Sequence, residues 1–223
     1  MSRYHIEEIE CPVCHNKGEF VLWDSINTEL DPEMKKKVRT GEAFRYVCNK
    51  CGETTDILYG TVYHQMEDHI MIELNFSDHP EDSIEHMKGI FRNDKGEIID
   101  IGFKLDDDYQ NRLVTSMHSF REKLLIIDAG LNDKYIELMK FFIFAQLERS
   151  GSDMDVKEFL FALNENGEPM FAVRLSDNRW GTTEFAVGLY ESIEKDFAEF
   201  VEQDKEVVID SEWARNFLIH VTE

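Results

Sequence analysis

The sequence predicts an α+β protein: an antiparallel β N-terminal region organised by paired cysteines and holding one short helix, followed by an α+β C-terminal region. Three observations carry this. The four cysteines occur only as Cys11-Pro12-Val13-Cys14 and Cys48-Asn49-Lys50-Cys51, with 33 residues between the pairs. Short runs of β-branched and aromatic residues flank and follow these pairs. Helical apolar spacing then appears past residue 106, interrupted by an Asn-Gly hairpin signal.

Taken in order, Glu19 to Trp23 reads as a strand after the Gly18 turn. Asp31-Pro32 followed by Glu33 to Val38 reads as a short helix: Asp as cap, Pro at the first helical position, then strong helix formers, with Gly41 ending it in the left-handed conformation. Phe44 to Val47 is the strand that delivers the second cysteine pair. Thr54 to Tyr63 and His69 to Phe76 read as strands joined by a turn at Gln65 to Asp68, giving an antiparallel sheet whose apolar face packs on the Asp31 helix. Ser77 to Asp108 is polar and charge-rich, and a soft boundary there divides the chain into domains 1–105 and 106–223.

Beyond it, Leu113, Met117, Phe120, Leu124 and Ile127 recur at three- and four-residue intervals, so a helix is expected from Asn111 to Asp128, ended near Gly130. A second helix runs from Asp133 to Glu148 on the face of Ile136, Met139, Ile143 and Leu147. Lys157 to Leu163 and Met170 to Leu175 flank Asn164-Glu165-Asn166-Gly167-Glu168-Pro169 as a hairpin. Thr183 to Gln203 reads as a third helix with Phe185, Leu189, Ile193, Phe197 and Phe200 inward. Val207-Val208-Ile209 returns as a strand and Ser211 to Ile219 closes as a short helix.

Formal charge is −22 over 223 residues, but residues 1–51 hold 9 acids and 8 bases while residues 151–223 hold 17 acids and 6 bases. Nucleic-acid binding needs a basic stripe, and only Lys35-Lys36-Lys37 with Arg39 and Arg45 could begin one, so composition argues against a nucleic-acid partner. No signal segment is visible, and no apolar run approaches the roughly 18 to 20 residues that cross a bilayer. The expectation is therefore a cytoplasmic protein with no membrane partner, its thiols kept reduced and available for metal.

A C-x-x-C turn supplies two sulfurs from one tight loop, and a second turn alongside completes a tetrahedron. Cys11, Cys14, Cys48 and Cys51 are thus the expected ligands of one structural Zn²⁺, in a zinc-knuckle (zinc-ribbon-like) arrangement. Gly52 permits the tight backbone that points amide N–H groups at sulfur, and Pro12 stiffens the first turn. Redox use of the pairs and an iron centre are the other readings; a redox pair would sit at the start of a helix, whereas a strand leads into Cys48 and glycine follows Cys51. Four sulfurs leave no open position for water, which disfavours catalysis at the metal. His5 and His15 lie near the first pair and read as surface or supporting residues.

These residues resemble the CpXC family, named for two Cys-Pro-x-Cys motifs. Cys11-Pro12-Val13-Cys14 matches fully; the second pair has Asn49 where the motif has proline, which keeps the ligands and loses rigidity. Trp23-Asp24-Ser25-Ile26-Asn27, Leu30-Asp31-Pro32-Glu33, Gly41-Glu42 and Tyr63-His64 also follow the family's pattern, over residues 7–75. Phe120-Arg121-Glu122-Lys123 and Gly130-Leu131-Asn132-Asp133 look like the region that follows this domain in full-length members. The resemblance implies a bacterial or archaeal zinc-binding protein of uncharacterised role and supplies no reaction.

Outside the cysteines, His64, Glu67, Asp68 and His69 suggest a second metal site, but a turn between strands collects such residues and the spacing is not that of H-E-x-x-H. Glu81, Asp82, Glu85 and His86 read as a solvated face. Asp106-Asp107-Asp108 lacks the spacing of a calcium loop. The helical aromatics Phe141, Phe142, Phe144, Phe185, Phe197 and Phe200 read mostly as core, with a homodimer surface as the other use. The preferred function is a non-enzymatic zinc-bearing interaction or assembly module, with a protein partner or homodimer. An enzyme with a pocket between the two domains, using a pair such as His64 and Glu67, is the alternative, and a nucleic-acid adaptor the third.

Overall fold

A computed structural model describes residues 1–99, 108–149 and 155–222, and the chain divides into two units, Met1–Met117 and His118–Glu223. The first holds β1 (Arg3–Glu10), β2 (Lys17–Asn27), α1 (Pro32–Arg39), β3 (Arg45–Val47), β4 (Thr54–Asp56), β5 (Thr61–Gln65), β6 (Ile70–Leu74), α2 (Glu81–Met87), β7 (Phe91–Arg92), β8 (Ile98–Ile99) and β9 (Gln110–Val114). A five-stranded sheet has the order β1-β2-β5-β6-β9, while β3 and β4 form a separate hairpin. With the paired-cysteine turns at its hairpins, this is the α+β zinc-knuckle architecture.

The main sheet is mixed. β5–β6 pair antiparallel as expected, β1 is an unforeseen strand that pairs antiparallel with β2, and β2–β5 and β6–β9 pair parallel. Parallel neighbours need long crossovers, and both connections are long: α1 and the β3–β4 hairpin lie between β2 and β5, and α2 with β7 and β8 lies between β6 and β9. The run from Thr54 to Tyr63 is not one strand. It breaks after Asp56 because its first half serves β3 and its second half serves the main sheet. Gly60 makes the crossing, where a Cβ would stand 3.0 Å from the Leu74 carbonyl.

Helix α1 buries Met34 and Val38, four residues apart on one face. Its Asp31 makes no side-chain cap; Asn27 Oδ1 instead accepts the N–H groups of Glu29 (3.0 Å) and Leu30 (3.3 Å) to shape the entry. Gly41 ends the segment at φ +75°. Arg39 then ties the helix to β5, donating to Tyr63 Oη at 2.7 Å and Gln65 Oε1 at 3.0 Å.

The expected helix from Asn111 begins late. Asn111 to Val114 lie in β9, with Leu113 opposite Glu73 and Val114 opposite Leu74, and the helix starts at Met117. Leu113 fits a helical period by coincidence of spacing, and pairing with β6 decides its conformation.

The second unit comprises α3 (Met117–Asp128), α4 (Asp133–Arg149), β10 (Val156–Leu163), β11 (Pro169–Leu175), β12 (Trp180–Glu184), α5 (Val187–Gln203) and α6 (Ser211–Thr222). Strands β10, β11 and β12 form an antiparallel sheet. The Asn164–Glu168 loop joins β10 and β11 as its residues demand: Asn164 Oδ1 accepts from Asn166 and Glu168, and Gly167 has φ +79°. The rings of Phe161, Phe171 and Phe185 meet one another at 5.8–6.3 Å, Phe161 edge-on to the other two, and pack with Ile136, Met139, Ile193 and Trp213 in one core.

Three expectations change here. Thr183 and Glu184 finish β12, so α5 begins at Val187, and Phe200 is exposed rather than inward. Val207 to Ile209 form no strand; Val207 and Ile209 are buried in a loop whose Ile209 carbonyl accepts from Lys123 Nζ at 2.7 Å. Helix α6 continues to Thr222. Among the described residues no helix is long and apolar enough to cross a membrane.

Polar residues penetrate this core. Lys140 Nζ meets Glu122 Oε1 at 2.5 Å and Glu137 Oε1 at 2.8 Å, and Lys123 meets Asp133 at 2.9 Å and Glu137 at 3.6 Å, all with buried side chains. Glu122 Oε1 also accepts the Phe161 N–H, pinning α3 to β10. Burial alone would lower the Lys140 pKa, but the carboxylates of Glu122 and Glu137 outweigh it and hold the ammonium above its usual range. Removing the cation strands two buried acids, so Lys140→Ala is expected to cost about 3–5 kcal/mol in chemical denaturation.

Glu137 is pushed above the usual carboxylate range by burial, against the pull of Lys140 and Lys123. The folded state then binds more protons than the unfolded chain, so this stability is full below the unfolded pKa and is lost as pH rises through the folded one. Glu137→Gln is expected to remove that dependence, its stability relative to the native chain rising from about pH 4 upward in denaturation at stepped pH.

Candidate metal centre

Each cysteine pair occupies the turn of a β hairpin, Cys11–Asn16 between β1 and β2 and Cys48–Glu53 between β3 and β4. The two turns are the same device. Cys11 N–H donates to Asn16 O (3.0 Å) and His15 N–H to Cys11 O (3.0 Å); Cys48 N–H donates to Glu53 O (2.8 Å) and Gly52 N–H to Cys48 O (2.9 Å). The residue after the second cysteine is left-handed in both, His15 at φ +55° and Gly52 at φ +75°. Asn16 Nδ2 donates to Asn49 Oδ1 at 2.9 Å and bridges the turns.

This brings four sulfurs together. Cys11 and Cys51 approach to 3.6 Å, as do Cys14 and Cys48, and all four lie within 4.8 Å of one another. All are free thiols, far beyond the disulfide bond length of about 2.05 Å. A tetrahedron of sulfurs around Zn²⁺ with bonds of about 2.3 Å has edges of about 3.8 Å, so the set fits a small tetrahedral ion. Cys11 and Cys48 are buried, Cys14 is half-buried and Cys51 is exposed.

The electrostatics suit a cation. The N–H groups of Cys51 and then Lys50 point at Cys48 and lower its thiol to about 6. At Cys51 the Glu53 N–H favours the thiolate, but the Cys14 sulfur, burial and the Cys11 and Cys48 sulfurs together push it up to about 12. Sulfurs this close cannot all ionise without a positive charge among them, and a divalent ion removes that restraint. Tyr46, Phe20, Ile9 and Ile57 pack around the cluster. The Tyr46 phenol is raised first by burial and then by the sulfurs of Cys48 and Cys11.

Among the described residues no other group of three or more His, Cys, Asp and Glu side chains has metal-binding geometry. His5 pairs with Asp24 at 3.1 Å and His15 with Glu10 at 2.8 Å, so neither points to the sulfurs. His64, Glu67, Asp68 and His69 do not converge. His64 Nε2 bonds Tyr109 Oη at 2.8 Å and its pKa is lowered by burial; the His69 ring stacks on Tyr109 at 5.2 Å. Glu67 accepts from Thr28 Oγ1 (2.8 Å) and Lys35 Nζ (2.9 Å), while Asp68 accepts from the Gln65 amide. Glu85 on α2 is held by Arg92 at 2.6 and 2.7 Å.

Asp106 and Asp107 lie outside the described residues. The basic run disperses, with Lys35 on Glu67, Arg39 on Tyr63 and Gln65, and Arg45 facing Asp56 at 3.6 Å. Sequence reading missed Tyr46 and the Asn16–Asn49 bridge. Strand alternation could have found the first, since Tyr46 precedes Cys48 by two residues at the end of the strand that leads into it.

The CpXC protein family model matches residues 9–140. No curated protein and no solved structure matches the chain.

The repeated turn yields an asymmetric expectation. Gly52→Ala, which meets no atom within 4 Å, is expected to cost about 1–2 kcal/mol from backbone conformation alone. His15→Gly is expected to stabilise by up to about 1 kcal/mol, since its exposed pairing with Glu10 contributes little. Native-state hydrogen exchange of the turn amides measures both.

Proposed function

The chain belongs to the CpXC protein family, and from that premise we propose that Cys11, Cys14, Cys48 and Cys51 hold one structural Zn²⁺ and that the stapled unit is a protein-interaction or assembly module. The carrying observation is the convergence of four sulfurs from two equivalent hairpin turns within 4.8 Å. The donor set favours a thiophilic tetrahedral ion, and with four sulfurs engaged no position remains for a reacting water. The bound ion supplies a cross-link between two hairpins. The chain's own groups hold the thiolates: the N–H groups of Cys51, Lys50 and Glu53 donate toward the sulfurs, and Asn16 with Asn49 fixes one turn against the other. A reducing cytoplasm is the compartment this site requires.

The recognition role is supported by the hairpin that carries the first turn. Strand β1 is an edge of its sheet, and its Tyr4 and Ile6 are each 57% exposed. They lie opposite Trp23 and Val21, so one outer face of the arm is apolar. A protein partner or a second copy of the chain would cover it.

Metal analysis and native mass spectrometry of reduced protein are expected to give one zinc per chain. Chelation is expected to unprotect the β1–β2 and β3–β4 amides in hydrogen exchange. A folded, metal-free chain with unchanged thermal stability would sink the zinc reading. A photo-crosslinking residue at Ile6 is expected to give an adduct of defined mass that the same residue at Lys157 does not; no adduct from Ile6 removes the recognition role.

A further inference from the structure

One buried polar group beside the sulfurs has no partner. The Tyr46 hydroxyl is excluded from solvent and makes no hydrogen bond of good geometry, in a residue only 4% exposed that packs directly against Cys11 and Cys48. Buried hydroxyls are ordinarily satisfied, so an orphan at this position calls for an acceptor. The nearest chemistry is sulfur. Tyr46 lies on β3 two residues before Cys48, which follows the strand's end and packs in the same cluster, and the edge of Phe20 holds the ring at 6.2 Å and 88°.

Gly18 belongs to the same arrangement. Its backbone is not left-handed, so no turn geometry demands glycine there. Space does: a Cβ at residue 18 would lie 2.5 Å from Tyr46 Oη and 3.3 Å from its Cζ. Any larger residue would drive the hydroxyl from its position.

We propose that Tyr46 is a positioning residue of the metal centre, its O–H donating to the Cys48 sulfur when that sulfur is a metal-bound thiolate, with Gly18 keeping the room it needs. This rests on the zinc reading above. A neutral thiol is a weak acceptor, whereas a thiolate in a four-sulfur site carries the charge that a phenol O–H stabilises. The same donor lowers the electron density that sulfur gives the metal, so it tunes the centre as well as holding it.

The experiment compares native chain, Tyr46→Phe and Gly18→Ala by zinc competition with a chromophoric chelator and by the thiolate-to-cobalt charge-transfer band of the Co²⁺-substituted proteins. Tyr46→Phe removes one oxygen and keeps the ring. It is expected to weaken zinc retention about 10- to 100-fold and to shift the cobalt band, which a packing role would leave unmoved. Gly18→Ala should move both readouts the same way, and the double variant should fall no further than Tyr46→Phe. Should Gly18→Ala fail to fold, Tyr46→Phe decides alone. Native zinc affinity and an unmoved cobalt band in Tyr46→Phe would overturn the inference while leaving the zinc reading intact; a native chain that takes up neither metal overturns both.

Discussion

Convergence of the sulfurs of Cys11, Cys14, Cys48 and Cys51 is the constraint on which the N-terminal architecture depends. Strand β1 is exposed at every residue except Ile9, so burial contributes little to holding it. What fixes the β1–β2 arm is its turn, its pairing with β2 and the small cluster of Cys11, Tyr46 and Cys48 with Phe20 and Ile57. The metal proposed there would join residues 11–14 to 48–51 across a long loop and add its binding free energy to the folded state. The crossover from β2 to β5 runs partly through that segment, so such a closure would also order the parallel pairing of Ser25–Asn27 with Val62–His64.

The unit from His118 to Glu223 is held differently. Its core is aromatic and aliphatic, but lysines fasten the irregular stretch between α5 and α6. Lys123 donates to the Ile209 carbonyl, and Lys134 donates to Val201 O at 3.3 Å and to Asp204 O at 2.5 Å. Each places its aliphatic stem among apolar groups and carries its charge to buried acceptors. Asp133, Glu122 and Glu137 supply the balancing carboxylates, so helices α3 and α4 are locked by charge as well as by packing.

Much of this was legible in the residues, where local chemistry acts locally. The C-x-x-C pairs, the Pro32 start of α1, Gly41 and the Asn164–Gly167 loop each carry their own geometry, and the structure has each in place. The misses share one cause, which is pairing between distant segments. Leu113 kept helical spacing yet was taken by β6; Thr183 kept it yet was taken by β11; Arg3 to Glu10, with few apolar residues, became a strand because β2 lay beside it. Val207 to Ile209 looked strand-like because they are apolar, but they pair with no strand and bury Val207 and Ile209 from a loop. At the candidate metal centre the pairing of the cysteines was plain, whereas the close approach of Gly18 to Tyr46 depends on two hairpins meeting, and only the two-residue spacing of Tyr46 from Cys48 hints at it.

The chain's formal charge of −22 offers little positive field of its own, so the four clustered sulfurs need a cation to ionise together. The most direct measurement is zinc K-edge X-ray absorption on the full chain purified under reducing conditions. A single shell of four sulfurs at about 2.3 Å is the expected result. Nitrogen or oxygen replacing two or more of those sulfurs, or no bound metal at all, would contradict the account.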